Sequence, residues 1–235
     1  MKIGVVFSGG KDSTRAIYEA QKQGDEVCCL ITISPISLDS FMFHYPNIKW
    51  TNLQAKAMNI PLIKQQTRGV KEDELRDLKF AIKKAKDKHD IQGIYTGAVA
   101  SSYQKIRFEK VASELELKCI SPLWNLDGEK ILRDLEQLDF EVIIVSVAAA
   151  GLDSKWLGSY INSESIEKLM HIHNKYDINL SFEGGEAETF VLDCPLFNRK
   201  IEILEAERIW EKESGIFLIH KARLNSKETV KDIVS

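Results

Sequence analysis

The first half of the chain alternates short apolar runs with longer amphipathic segments, and this alternation restricts the fold more than any other feature. Apolar runs of strand length are predicted as strands at residues 2–7, 26–33, 61–65, 91–97 and 118–121. Segments with helical spacing of apolar residues lie between them, at residues 14–23, 47–58, 71–89 and 101–115. A strand–helix alternation favours an α/β fold with a doubly wound, mainly parallel sheet. Such a sheet binds ligands at the carboxyl ends of its strands.

The second half of the chain has a different pattern. Helices are predicted at residues 126–138 and 163–176, and strands at residues 142–150, 200–205 and 216–222. Residues 183–193 are rich in glycine and acid, which disfavours both a helix and a strand. We therefore expect a smaller C-terminal α+β domain, with domains at residues 1–124 and 125–235.

The composition excludes several classes of protein. Hydrophobic residues make up 44% of the chain and charged residues 29%, which is typical of a globular protein with its own core. With 32 basic and 35 acidic residues, the net charge of −3 argues against stable binding to nucleic acid. The longest apolar stretch, residues 142–152, is far shorter than the ~20 residues that span a bilayer, and no targeting segment is evident. The four cysteines form no C-x-x-C pair, so free thiols in a cytoplasmic protein are expected.

The sharpest motif is the turn that follows the first predicted strand: Ser8, Gly9, Gly10, Lys11, Asp12 and Ser13. Adjacent glycines let a backbone approach a ligand closely, and the N–H groups of the turn and the following helix form an anion site. The serine hydroxyls and the lysine add donors. The carboxylate of Asp12 would repel a phosphate unless a Mg²⁺ ion lay between them, so Asp12 is predicted as the metal ligand.

A second motif joins a glycine pair to three carboxylates, in Glu183, Gly184, Gly185, Glu186 and Glu188. Converging carboxylates bind a cation or hold a proton at a raised pKa. A solvated acidic turn has the same composition, and the residues alone leave the two interpretations open.

These motifs together carry a resemblance. The turn matches the S-G-G-x-D-S signature of the PP-loop ATP pyrophosphatases, which have a HUP-like fold. Further matching segments follow in order at residues 40–44, 97–107, 147–153, 183–189 and 192–197. In this combination the chain resembles the diphthine–ammonia ligase family, from Met1 to about Phe197.

The resemblance implies a ligase that uses ATP and Mg²⁺. The family activates the carboxylate of diphthine, a modified histidine of elongation factor 2, as an acyl-adenylate. Ammonium then supplies the nitrogen, and AMP and pyrophosphate are released. The expected partners are therefore elongation factor 2 and ammonium, with no membrane; the sequence leaves a homodimer open.

Site residues are assigned from the motifs and from the expected strand ends. Predicted catalytic residues are Lys11, Asp12, Glu183 and Glu186. Predicted ATP contacts are Ser8, Gly9, Gly10, Lys11, Asp12, Ser13, Thr32, Gly97 and Ala98. Predicted substrate contacts are His44, Ser101, Ser102, Tyr103, Gln104, Arg107, Glu183, Gly184, Gly185, Glu186 and Glu188. The acids would hold the trimethylammonium group of diphthine or deprotonate ammonium, and both roles stay open.

Two alternative functions remain. One is another PP-loop adenylating enzyme, acting on tRNA or on a small carboxylate. The other is a non-catalytic ATP-binding sensor, which would bind the nucleotide without turnover and would not need the acids of the second motif.

Overall fold

The first sheet of the protein is entirely parallel. A computed structural model describes residues 1–35, 47–68 and 71–227. The sheet has the order β3-β2-β1-β4-β5, in which the chain reverses direction across the sheet next to β1. Its strands are β1 (Lys2–Val6), β2 (Glu26–Pro35), β3 (Leu62–Thr67), β4 (Gly93–Tyr95) and β5 (Lys118–Ile120). This order places the predicted ligand edge at the carboxyl ends of β1 and β4.

Helices cover both faces of this sheet. They are α1 (Lys11–Lys22), α2 (Thr51–Met58), α3 (Lys71–His89) and α4 (Ser102–Glu114). The side chains of β2 alternate between two apolar clusters. Leu30 packs in the cluster that contains α1 and α2, whereas Ile31 and Ile33 pack in the cluster that contains α3 and α4. A strand buried on both faces has to be apolar at consecutive positions, which explains the run in β2.

The second sheet is antiparallel, with the order β7-β6-β9-β8. Its strands are β6 (Glu141–Val147), β7 (Ala187–Asp193), β8 (Arg199–Glu211) and β9 (Ser214–Ser226). Two helices, α5 (Gly128–Gln137) and α6 (Ser163–Tyr176), precede and follow β6. The predicted fold class is therefore confirmed: a doubly wound parallel sheet is joined to a smaller α+β unit.

One prediction for the second unit is wrong. Residues 183–193 are not irregular throughout, because residues 187–193 form β7 and pair with β6. Phe190, Val191 and Leu192 are buried, and that burial outweighs the poor strand propensity of the acids and glycines before them. The β8–β9 hairpin is also longer than predicted, with 13 residues in each strand.

The two sheets share one apolar core. Ile3, Ile17 and Ala57 of the first unit belong to the same cluster of buried residues as Val145 and Phe190 of the second. The division into domains at residues 1–124 and 125–235 stays a prediction, since the core is continuous across it. None of the described helices is long and apolar enough to cross a bilayer. The cysteines are free thiols.

We expect Ile31→Ala to lower the free energy of unfolding by about 2–5 kcal/mol, because the side chain is fully buried in the centre of the parallel sheet. Ile106→Ala is the matched control: Ile106 is 61% exposed, and its loss is expected to cost less than about 0.5 kcal/mol. Urea denaturation of both variants measures the difference, and equal costs would contradict this assignment of the core.

Candidate active site

The largest concentration of predicted site residues surrounds one cavity of about 340 Å³. It lies at the carboxyl ends of β1 and β4, where the topology of the sheet places a ligand. Most of its wall comes from three segments. They are the turn and helix start at residues 6–13, the loop at residues 96–98, and residues 181–189 of the second unit.

The turn at residues 8–13 adopts the conformation that an anion site needs. Gly9 has φ +85°, a left-handed backbone that favours glycine. Gly10 is the N-cap residue of α1 and has no side chain of its own to cap the helix, and the first turn, with the positive end of the helix dipole, lines the cavity. The hydroxyls of Ser8 and Ser13 lie 3.1 Å apart and hold the two ends of the turn together.

Gly97 is required by a close approach of two backbones. A Cβ atom at Gly97 would lie 2.6 Å from the Ser13 nitrogen and 2.7 Å from the carbonyl carbon of Asp12. The loop after β4 therefore packs directly on the first turn of α1, which brings Gly97 and Ala98 into the wall of the cavity.

Strand β7 of the second unit lies beside the turn. The Lys11 backbone nitrogen donates to Thr189 Oγ1 at 3.1 Å, and the Val191 nitrogen donates to the Gly9 carbonyl at 3.1 Å. The two motifs, about 180 residues apart in the sequence, are thus joined by hydrogen bonds. The turn is held from both sheets.

Three carboxylates line the cavity: Asp12, Glu183 and Glu188. Glu183 accepts a hydrogen bond from the Val99 nitrogen at 2.9 Å. One oxygen of Asp12, Oδ1, is buried and has no hydrogen-bond partner in the described part of the chain. A buried acceptor of this kind is suited to a cation or a bound donor. Asp12 does not lie in an exposed turn, since only 22% of its side chain is accessible.

Lys11 provides the positive charge nearest to these acids. Its Nζ atom lies 2.7 Å from Asp12 Oδ2 and donates to the Ser181 carbonyl at 2.7 Å, and the side chain is 2% exposed. The Phe182 ring lies over the ammonium, 5.0 Å from it. Lys11 is therefore buried and donates two hydrogen bonds, and it fixes the start of the acidic segment against α1.

Burial raises the pKa of all three acids. For Asp12, the ion pair with Lys11 opposes the effect of burial. For Glu183, the hydrogen bond from Val99 opposes it and the charge of Asp12 adds to it. The pKa of Glu188 is raised to about 8, mainly by burial and further by Asp12 and Glu183, against the effect of Lys11. A cation bound in the cavity would lower these pKa values, because it favours the ionised carboxylates.

Glu186 does not join the other acids, although the sequence groups it with them. Its carboxylate accepts hydrogen bonds from the backbone nitrogens of Asn179 and Gly184, at 3.2 and 2.9 Å. It stabilises the turn from outside the cavity, whereas Gly184 and Gly185 line the wall. The prediction that all three acids of the motif converge is wrong for this residue.

Helix α4 contributes less than predicted. Ser101 caps it by accepting from the Gln104 nitrogen at 3.3 Å, and Gln104 reaches the cavity wall. Arg107 stacks over the Tyr103 ring, 3.2 Å from its centroid, and neither residue lines the cavity. Ser101 and Ser102 are also outside its lining.

The last two predicted contacts are Thr32 and His44. Thr32 is buried and donates to the Phe7 carbonyl at 2.7 Å, and it is the adjacent Ile33 that lines the cavity. His44 lies outside the described residues. The sequence interpretation did not assign several residues of the wall: Phe7, Ile33, Ile48, Thr96, Phe108, Ser181, Phe182 and Thr189. Their apolar or small side chains carry no signal of a site until the fold brings them together.

The described residues contain no preformed metal centre. No group of three or more histidine, cysteine or acidic side chains is arranged to hold an ion in residues 1–35, 47–68 and 71–227. Magnesium is usually held by one or two carboxylates together with phosphate oxygens and water, so it does not require such a group.

This fold and site define a nucleotide-binding α/β protein, with an anion site at a helix start and an acidic wall opposite. The N-terminal domain model of diphthamide synthase matches residues 1–119, and the C-terminal domain model of the same enzyme matches residues 127–224. The chain belongs to the diphthamide synthase family.

The similar curated proteins from three mammals have the same name. A protein of Rattus norvegicus named diphthine--ammonia ligase is 34% identical over 89% of this chain and 85% of its own length. Proteins of the same name from Mus musculus and Homo sapiens are 32% and 34% identical, over 99% and 88% of this chain and 95% and 84% of their own lengths. A solved structure from Methanocaldococcus jannaschii, titled as a predicted subunit of tRNA methyltransferase, is similar with a TM-score of 0.41 and 16% identity. The aligned region covers 83% of this chain and 98% of the solved chain. With this TM-score, the similarity carries no argument about function.

We expect Glu188→Gln to stabilise the ligand-free protein at pH 8 by about 1–3 kcal/mol, and to have little effect near pH 5. The folded pKa of about 8 lies above that of an unfolded glutamate, so folding opposes ionisation and stability falls as the pH rises between the two values. Replacing the acid removes this loss. Urea denaturation at pH 5, 6, 7 and 8 measures it, and a difference that does not change with pH would contradict the assigned environment.

Proposed function

We propose that this protein is an ATP-dependent ligase that converts the diphthine carboxylate of elongation factor 2 to its amide, diphthamide. ATP activates the carboxylate as an acyl-adenylate, ammonium supplies the nitrogen, and AMP and pyrophosphate are the products. The observation that carries the proposal is the single cavity in which the glycine turn at the start of α1 faces the acids of residues 183–188. Membership of the diphthamide synthase family supports it.

The chemistry requires an activated acyl group. A free carboxylate does not react with ammonia, because an oxide ion would have to leave. A carboxylate oxygen attacks the α-phosphorus of ATP, the bond to the bridging oxygen breaks, and pyrophosphate departs. Ammonia then attacks the acyl carbon and AMP departs. Both steps depend mainly on positioning and on neutralising charge.

The turn at residues 8–13 would hold the phosphates. The first turn of α1 and the left-handed Gly9 would present N–H groups to an anion. Gly97 and Ala98 would contact the nucleotide from the adjacent strand end, as would Ile33, which takes the position predicted for Thr32. Lys11 would act by holding Asp12 and Ser181 in place, because its ammonium is engaged by both.

Mg²⁺ would be held by Asp12 and by the phosphates. The buried, unpartnered Oδ1 atom of Asp12 fits this role, and burial raises the pKa of the carboxyl, an effect that a bound cation would oppose. When bound, the ion supplies positive charge to the phosphate oxygens.

Glu183 and Glu188 would act on the second substrate. Because burial raises the pKa of Glu188 to about 8, its carboxylate is a stronger base than that of an ordinary glutamate, and in the ionised form it would accept a proton from bound ammonium and release the nucleophilic ammonia. The same pair, with the rings of Phe108 and Phe182 in the wall, also suits the trimethylammonium group of diphthine. Glu186 would maintain the loop that carries Glu183.

The test is product analysis with purified components. Wild-type protein, ATP, Mg²⁺, ammonium and diphthine-bearing elongation factor 2 should yield AMP, pyrophosphate and diphthamide in equal amounts. Release of ADP, or AMP release with tRNA in place of the elongation factor, would refute the proposal. ATP binding without any turnover would instead indicate a sensor.

We expect Asp12→Asn to lower the rate of AMP release by roughly 100-fold or more, because it removes the charge that would hold Mg²⁺ against the phosphates. Asp87→Asn is the control. Asp87 is 60% exposed, pairs with Lys83 and lies outside the cavity, so this variant should keep wild-type activity. Full turnover in Asp12→Asn would disprove the metal assignment.

A further inference from the structure

Gln54 of helix α2 is buried between strand β7 and the turn at residues 8–13, which we call the phosphate turn. Its side chain is inaccessible to solvent, and its Nε2 atom donates to the Gly9 carbonyl at 2.8 Å and to the Val191 carbonyl at 2.9 Å. Both N–H donors of the amide are therefore used, one on each motif-bearing segment. We propose that Gln54 is a positioning residue that sets the geometry of the phosphate turn.

The carbonyl of Gly9 is held from two directions. It accepts from Gln54 and also from the Val191 nitrogen at 3.1 Å. Orienting this carbonyl fixes the peptide plane between Gly9 and Gly10, and with it the N–H group of Gly10. That N–H donates to the Ser8 hydroxyl at 3.4 Å, and both Ser8 and Gly10 line the cavity, so the Gln54 side chain would act on ATP through the backbone of the turn.

Gln54 also accounts for the glycine at position 9. A Cβ atom there would lie 2.3 Å from Gln54 Oε1, well inside contact distance, and the φ of +85° independently disfavours other residues. The Oε1 atom is buried without a hydrogen-bond partner among the described residues. Burying this oxygen without a partner lowers the stability of the fold. We therefore infer that the amide serves to position the turn.

Gln54 does not line the cavity and so makes no contact with a ligand there. The inference rests on the proposed function for the identity of the ligand, ATP. It adds that affinity for the triphosphate depends on a helix outside the two recognised motifs.

Gln54→Met tests this inference, because methionine has a similar size and shape but donates no hydrogen bond. The probe is α,β-methylene-ATP, which is not cleaved between its α and β phosphates, with its Kd measured by calorimetry in the presence of Mg²⁺. We expect the Kd to rise roughly tenfold, the equivalent of one buried hydrogen bond. The KM for ammonium should stay within about twofold of wild type, since the lost bonds are to Gly9 and Val191 and not to the acids that line the cavity.

Ser165→Ala is the matched control for stability. Ser165 belongs to the capping box of α6 and lies outside the cavity, so the variant loses buried hydrogen bonds without touching the turn. It should bind α,β-methylene-ATP as wild type does. Thermal melts by circular dichroism establish that each variant is folded at the assay temperature, and Gln54→Ala replaces Gln54→Met if the latter does not fold.

Two results would overturn the inference: wild-type affinity in the Gln54 variant, or an equal loss of affinity in Ser165→Ala. Failure of the proposed function has a different signature. In that case wild-type protein binds the analogue but releases no AMP with diphthine-bearing elongation factor 2, and the comparison of Kd values still decides the role of Gln54. Wild-type protein that does not bind the analogue would contradict both.

Discussion

The site depends on hydrogen bonds between the phosphate turn and strand β7. A glycine-rich turn has little conformational preference of its own, and its use as an anion site requires that its N–H groups stay aligned. Here the Gly9 carbonyl and the Lys11 nitrogen are tied to Val191 and Thr189 of the second sheet. Buried residues of both sheets belong to one apolar core, which packs the two sheets against each other. The second unit therefore supports the proposed phosphate site as well as forming its opposite wall.

The charges of the cavity suit a cationic ligand. Three carboxylates share the wall with one lysine, and each has a pKa raised by burial. Buried carboxylates that lie close together repel one another, and a cation bound among them offsets this repulsion. Ammonium, a trimethylammonium group and Mg²⁺ all meet this condition, and the proposed reaction uses all three. The buried carboxylates therefore lower the stability of the fold, and the same carboxylates are placed to bind a cation.

Much of this arrangement is readable in the sequence. Apolar runs buried on both faces indicated the parallel sheet, and the bounds of α3 and α6 agree with the predicted 71–89 and 163–176. The six residues of the turn were found because their chemistry is local. Two predictions failed for different reasons. Strand β7 formed despite the acids and glycines before it because its apolar residues are buried, and Glu186 accepts hydrogen bonds from nearby backbone nitrogens instead of facing the cavity.

The sequence by itself determined the fold class, the position of the anion turn and the acidic character of the opposing segment, since these follow from periodicity and from adjacent residues. Only the tertiary structure decided which acids share the cavity, that Lys11 is engaged rather than free, and that Gln54 supports the turn. Apart from the ion pair between the adjacent residues Lys11 and Asp12, the hydrogen bonds of Lys11 and Gln54 join residues 45 to 170 positions apart. Such contacts leave no local pattern, because each partner is an ordinary residue until the packing of two sheets brings them together.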